Sequence, residues 1–335
     1  MLNSIAIQEN FLVRVPTLDD LAAVVDLMNL CDWAVLGQAD ENIEEAGAAW
    51  QLLNAANDQR IIVTPDGRIV GYVEVDDIHR QMYPFVDAYV HPDFEQQLIG
   101  DWLMHWGEER ARQAIANVPD DVRVAMRAAS FSNHLAYKAL LESAGMQVIR
   151  QSWRMAIDLD APPQQPEWPQ GITVRSFVVN QDERETFHVQ REAFRDHWGF
   201  VEKPVEEAFA LWERENEGKG FDPSLWFLAV ENNQIVGVSL CEPRHGDDAE
   251  MGWVNKLSVL RSHRRKGLGM ALLLHSFNEF YKRGKKRAGL GVDSSNLTGA
   301  VRLYQRAGMH ISQRVDLYEK ELRAGRELST QAVTD

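Results

Sequence analysis

The chain has 335 residues, with 35 Lys and Arg against 50 Asp and Glu, a formal net charge of −15. That length suits about two domains, and 45% hydrophobic with 25% charged residues is the composition of an ordinary globular protein. A chain this acidic is a poor general nucleic-acid binder, because phosphate contacts supply most non-specific affinity. No stretch reaches the ~18 uncharged apolar residues of a membrane span, so neither nucleic acid nor membrane is an expected partner. The start, MLNSIAIQENFLVRV, lacks a basic flank and a sustained apolar core, so no signal peptide is expected. Two cysteines, Cys31 and Cys241, are too few for a disulfide framework and point to a reducing cytoplasm.

In chain order, a short strand from Phe11 to Val15 precedes a helical region, and a hairpin turned by Pro65-Asp66-Gly67 follows. A strand from Phe85 to Val90, a long helix, another strand, a helix ending at Gly145 and a final strand complete the first half. The stretch IDLDAPPQQPEWPQG then holds four of the twelve prolines, the composition of an extended linker. The second half repeats the order: a strand from Ile172 to Arg175, a helical region, a hairpin turned at Asn232-Asn233, and a strand from Gly252 to Val259. A long helix, a strand, a helix ending at Gly308 and a last strand follow. The expected fold class is α/β, an α+β mixed sheet covered by helices.

Three segments match between the halves in the same order. NIEEAGAAW pairs with PVEEAFALW, GRIVGYVEV with NQIVGVSLC, and SNHLAYKALLESAGM with SNLTGAVRLYQRAGM. A duplicated domain explains this order. The expected boundaries are 1–156 for the first domain, 157–170 for the linker, 171–322 for the second domain and 323–335 for a polar tail expected to be disordered.

The chemistry concentrates in WVNKLSVLRSHRRKGLGMALLLHSFNEFYKR. Between its strand and helix lies Arg264-Arg265-Lys266-Gly267-Leu268-Gly269. Two glycines let backbone approach a ligand closely, and the first N–H groups of a helix favour an anion. Read alone, this is either a phosphate or pyrophosphate site or a glycine-rich turn with solvated basic residues. A dinucleotide fingerprint requires a small residue where Leu272 stands, and a P-loop requires Gly-Lys followed by Ser or Thr; neither is present.

The segment resembles the acetyl-CoA motif of the GNAT acetyltransferase superfamily: Arg or Gln, two residues, Gly, one residue, then Gly or Ala. Arg264, Gly267 and Gly269 match it, and Asn296 and Tyr304 match the Asn and Tyr that follow in that family. The resemblance covers the second half closely and the first through the repeat, implying two tandem GNAT-like acyl-CoA N-acyltransferase domains. The tandem arrangement is similar to the mycothiol synthase type of GNAT enzyme.

The resemblance implies that acetyl-CoA is the co-substrate, with no metal. Its pantetheine arm would lie along Lys256 to Val259, with backbone N–H groups near Leu257 and Ser258 facing the thioester. Those of Arg265, Lys266, Gly267, Leu268 and Gly269 would hold its pyrophosphate, and Tyr304 would protonate the departing thiolate. Glu250 is the candidate base, with the bland alternative of a solvated loop residue, and His245 is a weaker candidate in the same loop. Asp196, His197 and Trp198 are candidates for binding the acceptor, a small-molecule amine; a capped helix end is the alternative. Cys241 is read as a small buried hydrophobic residue rather than an acylated nucleophile, and Lys282 to Arg287 as a solvated helix terminus.

The first half departs from the motif. Glu95 stands where Arg264 does and Leu98 where Gly267 does, and only Gly100 survives. Asn133 remains, but Leu141 replaces the tyrosine. The first domain is therefore expected to be degenerate. The reading is a cytoplasmic N-acetyltransferase acting through its second domain; the alternative is a non-catalytic acyl-CoA-binding sensor or scaffold.

Overall fold

The computed structural model describes residues 10–77, 82–95, 97–216, 221–295 and 299–331. Two compact units divide the chain: Met1–Gln151 with Arg314–Glu327, and Ser152–Gln313 with Leu328–Asp335.

The first unit contains β1 (Leu12–Arg14), α1 (Leu21–Leu36), α2 (Ile43–Leu52), α3 (Ala55–Asp58), β2 (Gln59–Val63), β3 (Ile69–Asp76) and β4 (Phe85–Val90). It continues with α4 (Ile99–Gln113), β5 (Val124–Phe131) and α5 (Leu135–Ser143). β6 (Gln147–Asp158) leads into the second unit, which holds β7 (Thr173–Ser176), α6 (Glu183–Phe194), α7 (Val205–Asn216), β8 (Trp226–Glu231) and β9 (Gln234–Glu242). β10 (Met251–Val259), α8 (Leu268–Lys282), β11 (Arg287–Asp293), α9 (Ala300–Arg306) and β12 (His310–Arg323) complete the order.

The strands of each unit pair in mixed fashion, parallel between β4 and β5 and between β10 and β11. In the first unit the strands run β1-β2-β3-β4-β5-β12, and in the second β6-β11-β10-β9-β8-β7. The last strand of each half is thus exchanged. β12 pairs antiparallel with β5 from Val315 opposite Phe131 to Arg323 opposite Val124. β6 pairs antiparallel with β11 from Asp158 opposite Arg287 to Ser152 opposite Asp293.

Turn chemistry fixes the hairpins. Asn232 and Asn233, both at positive φ (50° and 64°), join β8 to β9, the left-handed pair that a tight two-residue hairpin requires. Each unit also locks its first strand with the same device. Arg14 donates to Asp20 while the Thr17 N–H reaches the same carboxylate, and Arg175 donates to Asp182 while the Val178 N–H does so. Both carboxyl groups lie below the usual range, held down first by the arginine hydrogen bond.

The cores follow the repeat. α4 buries Ile99, Leu103 and Met104 against Val73, Val86 and Met126, while α8 buries Leu272, Leu273, Phe277 and Phe280 against Val254, Leu290 and Phe227. The proline-rich segment lies along α8. Gln165 donates to Asn278 at 2.8 Å, Asn278 donates to the Gln164 carbonyl at 2.9 Å, and the Trp168 and His275 rings are 5.7 Å apart. After β12, Thr330 exchanges backbone hydrogen bonds with Gly199 and Phe200, each 2.8 Å.

Candidate active site

β10 and β11 are parallel neighbours only at their starts, where Met251–Val254 face Arg287–Leu290. A bulge against β9 falls between Val254 and Lys256. The two strands then part, β10 running on to Val259 and β11 to Asp293. Between them opens a cavity of about 700 Å³, walled by β10 from Val254 to Val259, β11 from Leu290 to Asp293, and Tyr304 of α9. The end of α6 closes one side with Phe194, Asp196 and His197. The parting leaves one edge of β10 open along the cavity, so its backbone polar groups are available to a ligand.

Beside the cavity, the entry to α8 has a geometry that could receive an anion. Gly267 caps α8 at φ 89°, and no atom lies within 4 Å of where its β-carbon would stand. A ligand can therefore approach the first-turn N–H groups of a 15-residue helix without obstruction. Arg265, at φ 63°, lines the cavity with Arg261 and Arg264. Arg265 and Lys266 are exposed, whereas Leu268 is buried in the core and offers only its backbone. Arg264 acts as a latch. It donates to the Val259 carbonyl at 3.1 Å, to Asp196 at 3.1 Å and to the Ala193 carbonyl at 2.9 Å, tying the turn to the end of α6.

Tyr304, on α9, is 8% exposed, and burial pushes its phenol up to about 12. It stays protonated at neutral pH, the state a proton donor requires. Ser258 is 2% exposed, and its Oγ has no hydrogen-bond partner among the described residues. The Gly291 β-carbon position is open. These features fit the acyl donor that the motif implies: an N–H-rich end for the pyrophosphate and an open strand edge for the pantetheine arm.

The acceptor-side candidates separate. Asp196 accepts from Arg261 at 3.2 Å and from Arg264, and these arginines, Arg261 foremost, hold its carboxyl below the usual range. His197 packs on Phe194 with ring centroids 4.3 Å apart; burial, then Arg264, lowers its pKa and leaves it neutral at pH 7. Trp198 lies outside the lining and donates to Gln331 at 3.2 Å. Glu250 also lies outside it, at the paired start of β10, where its carbonyl accepts from Lys286 and Arg287. His245 stacks on Trp253 at 3.7 Å. Cys241 is buried off the cavity, its thiol pushed up to about 11 by burial. Asn296 lies outside the described residues. The Ser258 hydroxyl, Asn255 at the bulge, Phe194 and Asp293 line the cavity without any motif to announce them. The polar residue at Ser258 inside an otherwise apolar stretch was the only sequence signal for that group.

A mixed sheet with parted parallel strands, and a glycine turn leading into the helix after them, define an acyltransferase of the GNAT fold, here in tandem. The profile of the Acetyltransferase (GNAT) family matches residues 183–309. Mycothiol acetyltransferase of Salinispora arenicola is 31% identical over 247 residues, covering 72% of this chain and 75% of that protein. Mycothiol acetyltransferase of Streptomyces scabiei is 25% identical over 317 residues, covering 92% of this chain and 96% of its own length. A crystal structure of a GCN5-related N-acetyltransferase from Sphaerobacter thermophilus superposes with a TM-score of 0.82 at 35% identity, over 97% of this chain and all of the other. A tandem GNAT protein from the clavulanic acid biosynthesis pathway shares the fold at 15% identity, with a TM-score of 0.70 over 94% of this chain and 99% of its own. The chain belongs to the GNAT acetyltransferase family, and it is an acetyl-CoA-dependent N-acetyltransferase. Among the described residues, no helix is long and apolar enough to cross a membrane.

Proposed function

We propose that the second unit transfers an acetyl group directly from acetyl-CoA to the amine of a small molecule chemically related to mycothiol, the compound in the name of its curated relatives. The observation that carries this reading is one cavity bordered by the α8 N-terminus, an open strand edge and a protonated Tyr304. In this reading the backbone of Arg265 to Gly269 holds the pyrophosphate. N–H groups of Leu257, Ser258 or Val259 polarise the thioester carbonyl, a contribution of about 3–4 kcal/mol for one good donor. The neutral amine attacks the carbonyl carbon, the carbon–sulfur bond breaks, and the Tyr304 phenol gives its proton to the departing thiolate.

An alkylamine arrives mostly as ammonium, with a pKa near about 10, so a proton must leave first. His197 is neutral and lines the cavity, which supports it as the acceptor of that proton. Glu250 is the alternative, acting from the start of β10. The net charge of −15 favours a cationic acceptor through long-range steering.

The test is a calorimetric titration of acetyl-CoA followed by turnover assays across small amines. One acetyl-CoA per chain with turnover on a small amine supports the reading. Binding without turnover on any amine would indicate a sensor, and no binding would remove the reading altogether. A fall in turnover for His197→Gln but not Glu250→Gln assigns the proton to the histidine.

A further inference from the structure

The segment that carries His197 runs from Arg195 to Pro204, between α6 and α7, without a helix or strand of its own. Its half-buried backbone groups therefore require partners from elsewhere. On one side Asp196 is tied to Arg261 and Arg264 at the entry to α8. Further anchors come from a part of the chain far away in sequence. After β12 the chain rejoins the second unit at Leu328, in the tail whose polar composition predicts disorder.

That tail is bonded instead. The Gly199 N–H donates to the Thr330 carbonyl and the Thr330 N–H to the Phe200 carbonyl, each at 2.8 Å. The Thr330 hydroxyl donates to the Arg195 carbonyl at 3.4 Å, and the Trp198 indole N–H to Gln331 at 3.2 Å. Gln331 in turn donates to the Ser329 hydroxyl at 2.7 Å, and Ser329 is 7% exposed. These contacts fall two residues before His197 and one to three residues after it. The tail buries little apolar surface, with Leu328 left exposed, so it can detach without global unfolding.

We propose that Ser329–Gln331 form a strap that positions His197 in the cavity wall, with Thr330 and Gln331 as positioning residues for the acceptor side of the reaction. The inference rests on the proposed function for the task given to His197; the hold of the strap on the segment does not. Detachment loosens the backbone on both sides of His197 and leaves the turn before α8 in place. Burial is the first cause of the lowered His197 pKa; Arg264 and Lys256 add to it, and Asp196 and Asp293 oppose it. An imidazole released from the wall regains water and returns toward its ordinary value.

Hydrogen exchange over residues 195–200 and an NMR titration of the His197 ring test this on the full chain, and neither needs an acceptor. Thr330→Pro removes the N–H given to Phe200, Trp198→Phe removes only the indole donor, and Thr330→Ala keeps both backbone bonds. In Thr330→Pro, exchange is expected to speed up tenfold or more and the His197 midpoint to rise to about 6.5. Trp198→Phe is expected to move both readouts the same way by less, and Thr330→Ala to leave them at the parent values. Acetyl-CoA affinity within twofold of the parent is expected throughout, which establishes that the variants are folded. If Thr330→Pro does not fold, Trp198→Phe decides. Parental exchange in both Thr330→Pro and Trp198→Phe overturns the strap. Faster exchange with an unmoved His197 midpoint overturns its positioning role, and so does a loss of acetyl-CoA affinity in Trp198→Phe. If no small amine is acetylated, the proposed function fails, while a raised midpoint still upholds the strap.

Discussion

The turns after β4 and after β10 are two versions of one device. Each leads into a 15-residue helix from a residue in the left-handed region, Leu98 at φ 55° and Gly267 at φ 89°. The two turns differ just before that residue, with Glu95 helical at ψ −25° and Arg264 extended at ψ 158°. Leu98 nonetheless establishes that a residue with a side chain can stand in the left-handed position before such a helix. What differs at that position is access. At Leu98 a side chain that is 54% exposed stands over the helix N-terminus, with Glu95 beside it; at Gly267 that space is open, with Arg265 and Lys266 adjoining. In the function proposed above, glycine there leaves the first turn of α8 accessible to the ligand.

Gly267→Leu is the strongest way to break this contrast. A leucine in the left-handed region costs about 1–2 kcal/mol, and the first unit carries one at Leu98. The variant is expected to fold, with a modest loss in melting temperature, and to lose acetyl-CoA binding by at least a hundredfold in calorimetry. Retained binding would mean that the open position is incidental.

Tyr304→Phe tests the other end, where Leu141 stands in the first unit. The expected result is a fall in kcat of about 10²–10⁴ with acetyl-CoA affinity unchanged. Turnover equal to the parent would remove Tyr304 as the proton donor.

Asp196→Asn weakens the anchoring of Arg261 and Arg264 without touching the turn itself. A KM for acetyl-CoA raised several-fold, with kcat nearly unchanged, is expected. The pH dependence has a definite sign. The folded-state pKa of Asp196 is lowered, so its stabilising contribution is present above the unfolded value, about 3.9, and disappears as pH falls through the folded one. Acid unfolding curves of parent and variant should converge at low pH; a constant offset would contradict this.

The paired arginine–aspartate locks offer a milder comparison. Arg14→Met and Arg175→Met should each cost roughly 1–2 kcal/mol in denaturant unfolding, because a carboxylate loses a charge-assisted pair. Similar values would establish the locks as equivalent. The smallest effect is reserved for Cys241→Ala. A buried thiol with its pKa pushed up to about 11 is no nucleophile, and turnover within twofold of the parent is expected. Its abolition would indicate an acyl-enzyme.

By itself the sequence determined the mixed α/β class, the duplication, the place of the glycine-containing turn before α8 and the difference in residue type between the two turns. All of these reside in local spacing. A hairpin needs left-handed residues at Asn232 and Asn233, and a helix N-terminus meets an anion only where no β-carbon intervenes, so residue type and position within about ten residues carry the information. Tertiary structure alone decided the rest. Periodicity reports which face of a strand is buried and is silent on its partner, so nothing in His310–Arg323 announces pairing with β5, or in Gln147–Asp158 pairing with β11. The Arg264 latch depends on the end of α6 being brought to the turn. The tail reaches the loop of His197 from far along the chain, Gln331 meeting Trp198 across 133 positions. Long-range pairing places these groups together, and no local pattern encodes it.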